Sequence, residues 1–227
     1  HALKSRFVAM ASHEFRTPLS TIMSSVDLIA RYTEDHPNEK VEKHVTRIRG
    51  KVREMTAMLN EFLSLEKIDQ GQVVCTPIEL DIVHLTIEMI EELRSLAKPG
   101  QTIDYDHEGV ERTVTLDRQM LSNVITNLVT NAVKYSPEGK RVELCTVIAK
   151  GRLIVTVKDE GIGIPLEDQQ HLFERFFRGS NATTIQGTGL GLNLVNRYLE
   201  MMGGTIHFSS APGCTVFTVE LPQQLTP

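Results

Sequence analysis

The sequence predicts a chain in two parts, an all-α helical hairpin followed by an α+β two-layer sandwich. Three observations carry this. Apolar residues recur at spacings of three and four up to about residue 70. Asp69-Gln70-Gly71-Gln72 then breaks the pattern. Beyond it, alternating apolar strands are mixed with three amphipathic helices, without the strand–helix–strand rhythm of a parallel sheet. The expected parts are residues 1–70 and 71–227.

The first helix reads from Leu3, Phe7 and Met10, and resumes in a shifted phase with Phe15, Leu19, Ile22, Val26 and Ile29. The slip falls on the stretch SHEFRTPL, residues 12–19, where a histidine and a carboxylate precede a proline. Pro18 cannot donate to the carbonyl of Glu14, a defect that costs about 3 kcal/mol inside a helix. A bend is expected there. His36-Pro37-Asn38 ends the pattern. In the second helix Val41, Val45, Ile48, Val52, Met55, Leu59 and Phe62 alternate spacings of four and three. That is a heptad seam over about 30 residues, or about 45 Å. Two helices cannot enclose such a seam, so a homodimer with a four-helix bundle is expected. Packing of the hairpin on the chain's own second part is the alternative. A helical pattern that starts uncapped at residue 1 leads us to expect a longer parent, with sensor, linker or membrane segments upstream.

In the second part, Val73–Leu80 reads as a strand interrupted by Pro77. Asp81 caps a helix running to about Ala97, and short strands follow near Thr102–His107 and Thr113–Thr115. A helix over Asp117–Tyr135 is capped by Asp117 and stopped by Ser136-Pro137. Arg141–Ala149 and Leu153–Lys158 alternate like paired strands, a third helix spans Gly187–Met202, and Thr205–Ser209 and Thr215–Leu221 close the domain.

Composition excludes several classes. A net charge of −5 argues against sequence-independent nucleic-acid binding. No apolar run approaches the ~18 residues of a membrane span, so this fragment is expected to make no membrane contact. Cys75, Cys145 and Cys214 form no CxxC pair, and no two histidines stand at a ligand spacing, so neither a disulfide framework nor a zinc site is indicated.

Four clusters carry potential chemistry. Asn127, Asn131, Lys134 and Tyr135 fall on one helix face, opposite Val124, Ile125, Leu128 and Val129. The stripe is either a solvated face or an oxygen platform for a hard cation with a lysine for phosphate. Asp159-Glu160-Gly161-Ile162-Gly163 follows a strand, as a plain turn or as a close backbone approach to a ligand. Gly187-Thr188-Gly189-Leu190-Gly191 opens a helix whose N–H groups offer an anion site, after a polar stretch, Gly179–Gln186, of lid character. It lacks the strand and the distant acid of a dinucleotide fingerprint, and the Gly-Lys of a Walker loop. Finally, Leu172–Arg178 sets three phenylalanines beside Arg175 and Arg178, which can reach phosphate oxygens.

In this order on one small domain, the four clusters resemble the N, G1, F and G2 boxes of sensor histidine kinases, whose catalytic domain has the Bergerat ATP-binding fold. The opening segment, with His13, Glu14, Arg16, Thr17 and Pro18, is similar to the family's H box, and the resemblance covers residues 3–222. It implies a two-component signalling kinase that uses ATP and Mg²⁺, phosphorylates itself on His13 and passes the phosphoryl group to an aspartate on a response regulator's receiver domain. The family's roles carry over as follows. His13 is the nucleophile, Glu14 its proton acceptor, and Thr17 positions water for regulator dephosphorylation. Asn131 holds Mg²⁺, with Asn127, Lys134 and Tyr135 around the nucleotide. Asp159 takes the adenine amine, Gly161 and Gly163 let the base approach, and Thr215 reaches the adenine pocket through water. Gly187, Thr188, Gly189, Leu190 and Gly191 wrap the phosphates, assisted by Arg175 and Arg178. Many relatives carry a small residue where this chain has Asn193; the position lies inside the helix, so little effect on phosphate binding is expected from that departure. The location implied is the cytoplasm, with any membrane anchor in absent upstream segments. The alternative function is a phosphatase or binding scaffold for which ATP is a ligand.

Overall fold

The computed structural model describes residues 19–33, 38–185 and 187–223. The chain divides into two compact units, His1–Val73 and Val74–Pro227.

The first unit contains helix α1, described over residues 19–32, and helix α2, Glu39–Asp69. The bend expected at Pro18 lies outside the described residues. Asn38 starts α2: its Oδ1 accepts from the amides of Lys40 and Val41 at 3.1 and 3.4 Å. Glu39 and Glu42 in the first turn suit the positive end of the helix dipole. At the other end Gln72 N donates to Lys67 O and Gly71 N to Ile68 O, both at 2.9 Å, a Schellman closure. Arg49 ties the helices together, with Nε and Nη2 donating to Asp27 Oδ1 at 2.9 and 2.6 Å.

The predicted seam divides in two. Val45 and Val52, one heptad apart, are buried, as are Leu19 and Val26 on α1. Ile48 and Met55, the alternate set, are 40% and 52% exposed, and Ile22 and Ile29 on α1 are 44% and 45% exposed. The hairpin closes one flank of its seam and leaves the other open.

The second unit is a five-stranded sheet under three helices. Its strands are β2 (Thr102–Glu108), β4 (Arg141–Ala149), β5 (Arg152–Asp159), β6 (Thr205–Ala211) and β7 (Cys214–Pro222), in the order β2-β4-β5-β7-β6. The β2–β4 pair is parallel and the others are antiparallel. A separate ladder joins β1 (Ile78–Asp81) to β3 (Thr113–Leu116). The helices are α3 (Ile82–Leu93), α4 (Arg118–Tyr135) and α5 (Gly191–Met201).

Strict alternation builds the core. Val142, Leu144, Leu153, Val155, Val157, Phe217, Val219 and Leu221 are buried on the sheet's inner face. Leu121, Val124, Ile125, Leu128 and Val129 of α4 are fully buried as well. The intervening strand positions carry cross-strand ion pairs such as Lys158–Glu143 at 3.1 Å and Arg141–Asp104 at 3.3 Å. Such exposed pairs mark a solvated face and add little stability.

Three boundaries differ from expectation. The strand expected over Val73–Leu80 begins only at Ile78, after Pro77, which has no amide proton for a ladder. Helix α3 ends at Leu93 and tightens into a 3₁₀ turn, Arg94–Leu96; Ala97 is already extended and Lys98 precedes Pro99. Helix α5 starts at Gly191 rather than Gly187, for a reason that belongs to the site.

Candidate nucleotide site

The polar face of α4 forms one wall. Asp117 fixes the start of the helix, its Oδ1 accepting from Met120 N and its Oδ2 from Thr76 N, both at 2.9 Å. Asn127 Nδ2 donates to Asn123 O at 2.9 Å. Its Oδ1 turns to Gly191, 2.6 Å from where a Cβ there would sit. Near the helix end, Lys134 Nζ lies 4.7 Å from the centre of the Tyr135 ring and against Gly187. The Gly187–Gly191 segment is thus laid on the face that carries Asn127, Lys134 and Tyr135, so that a side chain at either end would have to displace the Lys134 ammonium or the Asn127 amide.

Gly189 explains the late start of α5. Its φ is +73°, and a Cβ would stand 2.6 Å from the carbonyl carbon of Phe176 and 2.7 Å from Phe177 O. Only glycine satisfies both the left-handed backbone and that contact. A left-handed residue cannot continue a helix, so the segment stays a loop, anchored by buried Leu190, whose N–H donates to Thr188 Oγ1 at 3.1 Å. No side chain caps α5 among the described residues, and its first N–H groups remain open to an anion.

The second wall is the end of β5. Asp159 is 4% exposed, and its Oδ1 accepts from Gly161 N at 2.8 Å, with the Ser136 hydroxyl at 3.5 Å. Burial pushes the carboxyl up to about 6, against the lowering pull of those two donors. Thr215 is the cross-strand partner of Asp159, and its hydroxyl lies 2.8 Å from Ser210 Oγ, which also accepts Ile164 N at 2.9 Å. Gly161 is pinched between strands and helix, Gly213 N donating to Gly161 O at 2.9 Å and Ile162 N to Tyr135 O at 3.2 Å. Gly163 sits against the Ala211 carbonyl of the β6–β7 turn.

At the C-terminal end of α4 lies a cleft of about 530 Å³, lined by Lys98, Lys134, Tyr135, Ser136, Pro137, Ile162 and Ile185. Its size suits a small organic ligand.

The arginines of the phenylalanine-rich segment behave differently from the glycines. Arg178 Nη2 donates to the carbonyls of Ala182, Thr183 and Ile185 at 3.1, 3.4 and 2.5 Å, so in this structure it organises the polar segment instead of facing the cleft. Arg175 is exposed. Asn193, expected to have little effect on phosphate binding, donates its Nδ2 to Phe173 O at 2.7 Å. Phe173 in turn stacks edge-on against Phe208, and Phe208 packs on Phe217, with ring centroids 6.0 and 5.8 Å apart. Asn193 therefore fastens α5 to the segment ahead of the loop.

Sequence reading missed Ser136, Ser210, Asp168 and Lys98. Asp168 is buried and holds Ser180 through both its amide and hydroxyl, at 2.7 and 2.8 Å. Lys98 had a usable signal: Lys98-Pro99-Gly100-Gln101 has the proline and glycine of a type II turn. His13, Glu14 and Thr17 lie outside the described residues. No group of three His, Cys, Asp or Glu suited to a metal occurs among the described residues.

Comparison with known proteins adds the following. Residues 3–71 match the family described as His Kinase A (phospho-acceptor) domain. Residues 116–225 match the histidine kinase-, DNA gyrase B-, and HSP90-like ATPases. Sensor histidine kinase YkoH of Bacillus subtilis is 33% identical over 222 residues, covering 96% of this chain and 48% of that protein. The chain spans about half or less of the length of the curated relatives it matches. Among solved structures, full-length ShkA in complex with AMPPNP superposes with a TM-score of 0.79 at 25% identity, over 96% of this chain and 45% of that one. Histidine kinase ThkA in complex with response regulator protein TrrA superposes at 0.67 and 21% identity, over 96% of this chain and 61% of that one, a likeness of fold.

Proposed function

This chain belongs to the sensor histidine kinases, with a phospho-acceptor module followed by an ATPase module, and from that premise we propose that it is the catalytic core of an autophosphorylating, dimeric kinase. The observation that carries the reading is the packing of the Gly187–Gly191 loop on the Asn127–Tyr135 face of α4, whose end meets buried Asp159 through Ser136.

The chemistry of the side chains supports these roles. The Asp159 carboxylate accepts the adenine amine, with Thr215 at its side. Gly161 and Gly163 leave the backbone open to the base. The N–H groups of Gly187–Gly191, with Thr188 and Leu190 in the turn, bind phosphate oxygens at the start of α5. Lys134 adds charge, and Arg175 and Arg178 would join only if the polar segment rearranges. Mg²⁺ prefers oxygen ligands and takes one or two from the protein. Asn131 offers an amide oxygen on the right face, beside Asn127, and no hydrogen bond among the described residues ties it up. The residues fit, and the ion when bound would neutralise charge on the triphosphate.

A neutral imidazole is a nucleophile near pH 7. A ring nitrogen of His13 attacks the γ-phosphorus; the N–P bond forms as the bond to the β-bridging oxygen breaks, and ADP leaves. Glu14 receives the proton from the other ring nitrogen. The phosphoryl group then passes to an aspartate of a receiver domain, the partner class seen with ThkA. Thr17 would orient water for a separate reaction, hydrolysis of the regulator's aspartyl phosphate to inorganic phosphate. The half-open seam at Ile22, Ile29, Ile48 and Met55 supports a second copy of the hairpin as its cover. No helix among the described residues is long and apolar enough to cross a membrane. An ATP-consuming reaction of this kind would fit a cytoplasmic location.

Incubation with γ-labelled ATP should give acid-labile, alkali-stable phosphate on wild type and none on His13→Gln, with ATP binding unchanged. Normal labelling of His13→Gln would refute the assignment. ATP binding without any labelling of wild type would favour the scaffold role.

A further inference from the structure

We propose that Lys98 and Gln101 are positioning residues for the nucleotide: two side chains of one turn that take up the free carbonyls at the C-terminal end of α4 and so hold Lys134, Tyr135 and Ser136 in place. The proposal rests on the ATP reading above and adds residues outside its motifs.

The last carbonyls of a helix have no partners within it. Here that end faces a cleft, where fraying would move the side chains that line it. Gln101 Nε2 donates to the carbonyls of Val133, Ser136 and Pro137 at 3.1, 3.0 and 3.0 Å. Lys98 Nζ donates to Lys134 O and Ser136 O at 2.7 and 2.6 Å. The Tyr135 carbonyl takes Ile162 N at 3.2 Å. Every carbonyl from Val133 to Pro137 is thereby held, two of them by an ammonium at the negative end of the helix dipole.

The turn is itself pinned. Gln101 N donates to Lys98 O, and Gln101 Oε1 accepts Lys98 N, both at 2.9 Å. Gly139 N donates to Pro99 O at 3.0 Å, which fixes the turn to the chain just after α4. Gln101 is buried, so it cannot trade these bonds for water without opening the turn. The residues gripped by their backbones present Lys134 and Tyr135 to the cleft, and Ser136 reaches toward Asp159. Lys98 therefore acts on both ends of the nucleotide site through the backbone between them.

A plain helix cap would affect stability alone; a positioning residue affects ATP. The test measures melting temperature, ATP affinity, and KM and kcat for autophosphorylation on the full 227-residue chain. Lys98→Met should raise Kd and KM for ATP roughly tenfold while kcat at saturating ATP stays within about twofold. Lys98→Arg, which keeps donors and charge, should recover most of the affinity. Gln101→Leu should act in the same direction; if it fails to fold, the Lys98 pair still decides. A Lys98→Met protein that melts lower but binds ATP like wild type would overturn the proposal. Wild-type protein that binds no ATP would instead overturn the kinase reading and the proposal with it.

Discussion

The hairpin and the sandwich solve the same problem differently. Each is built on amphipathic helices. In the sandwich, Leu121, Val124, Ile125, Leu128 and Val129 of α4 are wholly covered by the chain itself. In the hairpin, Ile48 and Met55 stay about half exposed one turn away from buried Val45 and Val52. A sheet under three helices closes a core; two helices can cover only one flank of a heptad seam. The ATP-type cleft thus rests on a self-sufficient core, whereas the hairpin's stability should depend on a partner and on protein concentration.

The comparison breaks first if the open seam is not an interface. Ile48→Lys with Met55→Lys should weaken self-association by more than about a hundredfold, since charges would be buried without partners. Analytical ultracentrifugation reads this, and ATP affinity should not change. Dimers that survive both lysines would place the interface elsewhere.

The converse change lies in the sandwich. Leu128→Ala should destabilise that unit by about 2–5 kcal/mol through a cavity that a packed core cannot collapse. Calorimetry should show one transition moving and oligomeric state unaltered.

Asp159 offers a smaller and sharper contrast, because it is a cost the sandwich carries for its site. With the carboxyl raised from 3.8 to about 6, the folded unit holds a proton between those values that the unfolded chain has released. Stability should therefore fall as pH rises through that window, by up to roughly 3 kcal/mol, and level off above it. Asp159→Asn should flatten this dependence and stabilise the apo unit at neutral pH while weakening ATP. In wild type, ATP affinity should climb with pH about a midpoint near 6, as the carboxylate forms. Chemical denaturation and nucleotide titration across pH 4–8 check both.

The smallest expected differences are at the helix caps. Asn38→Ala should cost about 1 kcal/mol, the usual worth of an N-cap bond. Asp117→Ala should cost more, since its second oxygen also holds Thr76 N across 41 residues of chain. Equal costs would show that the added long-range bond contributes nothing.

Much of this molecule follows from local rules. Asp81 and Asp117 cap where an acid precedes an apolar stripe, because the cap bond closes within three residues. The strands β4, β5 and β7 alternate in burial as their residues alternate in character. The polar face of α4 is set by helical spacing alone. Asn193 and Arg178 were harder. Their side chains bond to Phe173 O and to the carbonyls of Ala182, Thr183 and Ile185, and a sequence records only that they are polar.

By itself, then, the sequence determined the two-part architecture, the apolar faces and the order of the site motifs, since these depend on periodicity and on bonds within one turn. Tertiary structure alone decided the parallel β2–β4 pairing, the loop that replaces the first turn expected of α5, the burial that lifts Asp159, and the grip of Lys98 and Gln101 on α4. Each depends on which backbone comes within about 3 Å of which side chain, and that distance is fixed by packing between elements far apart in the chain.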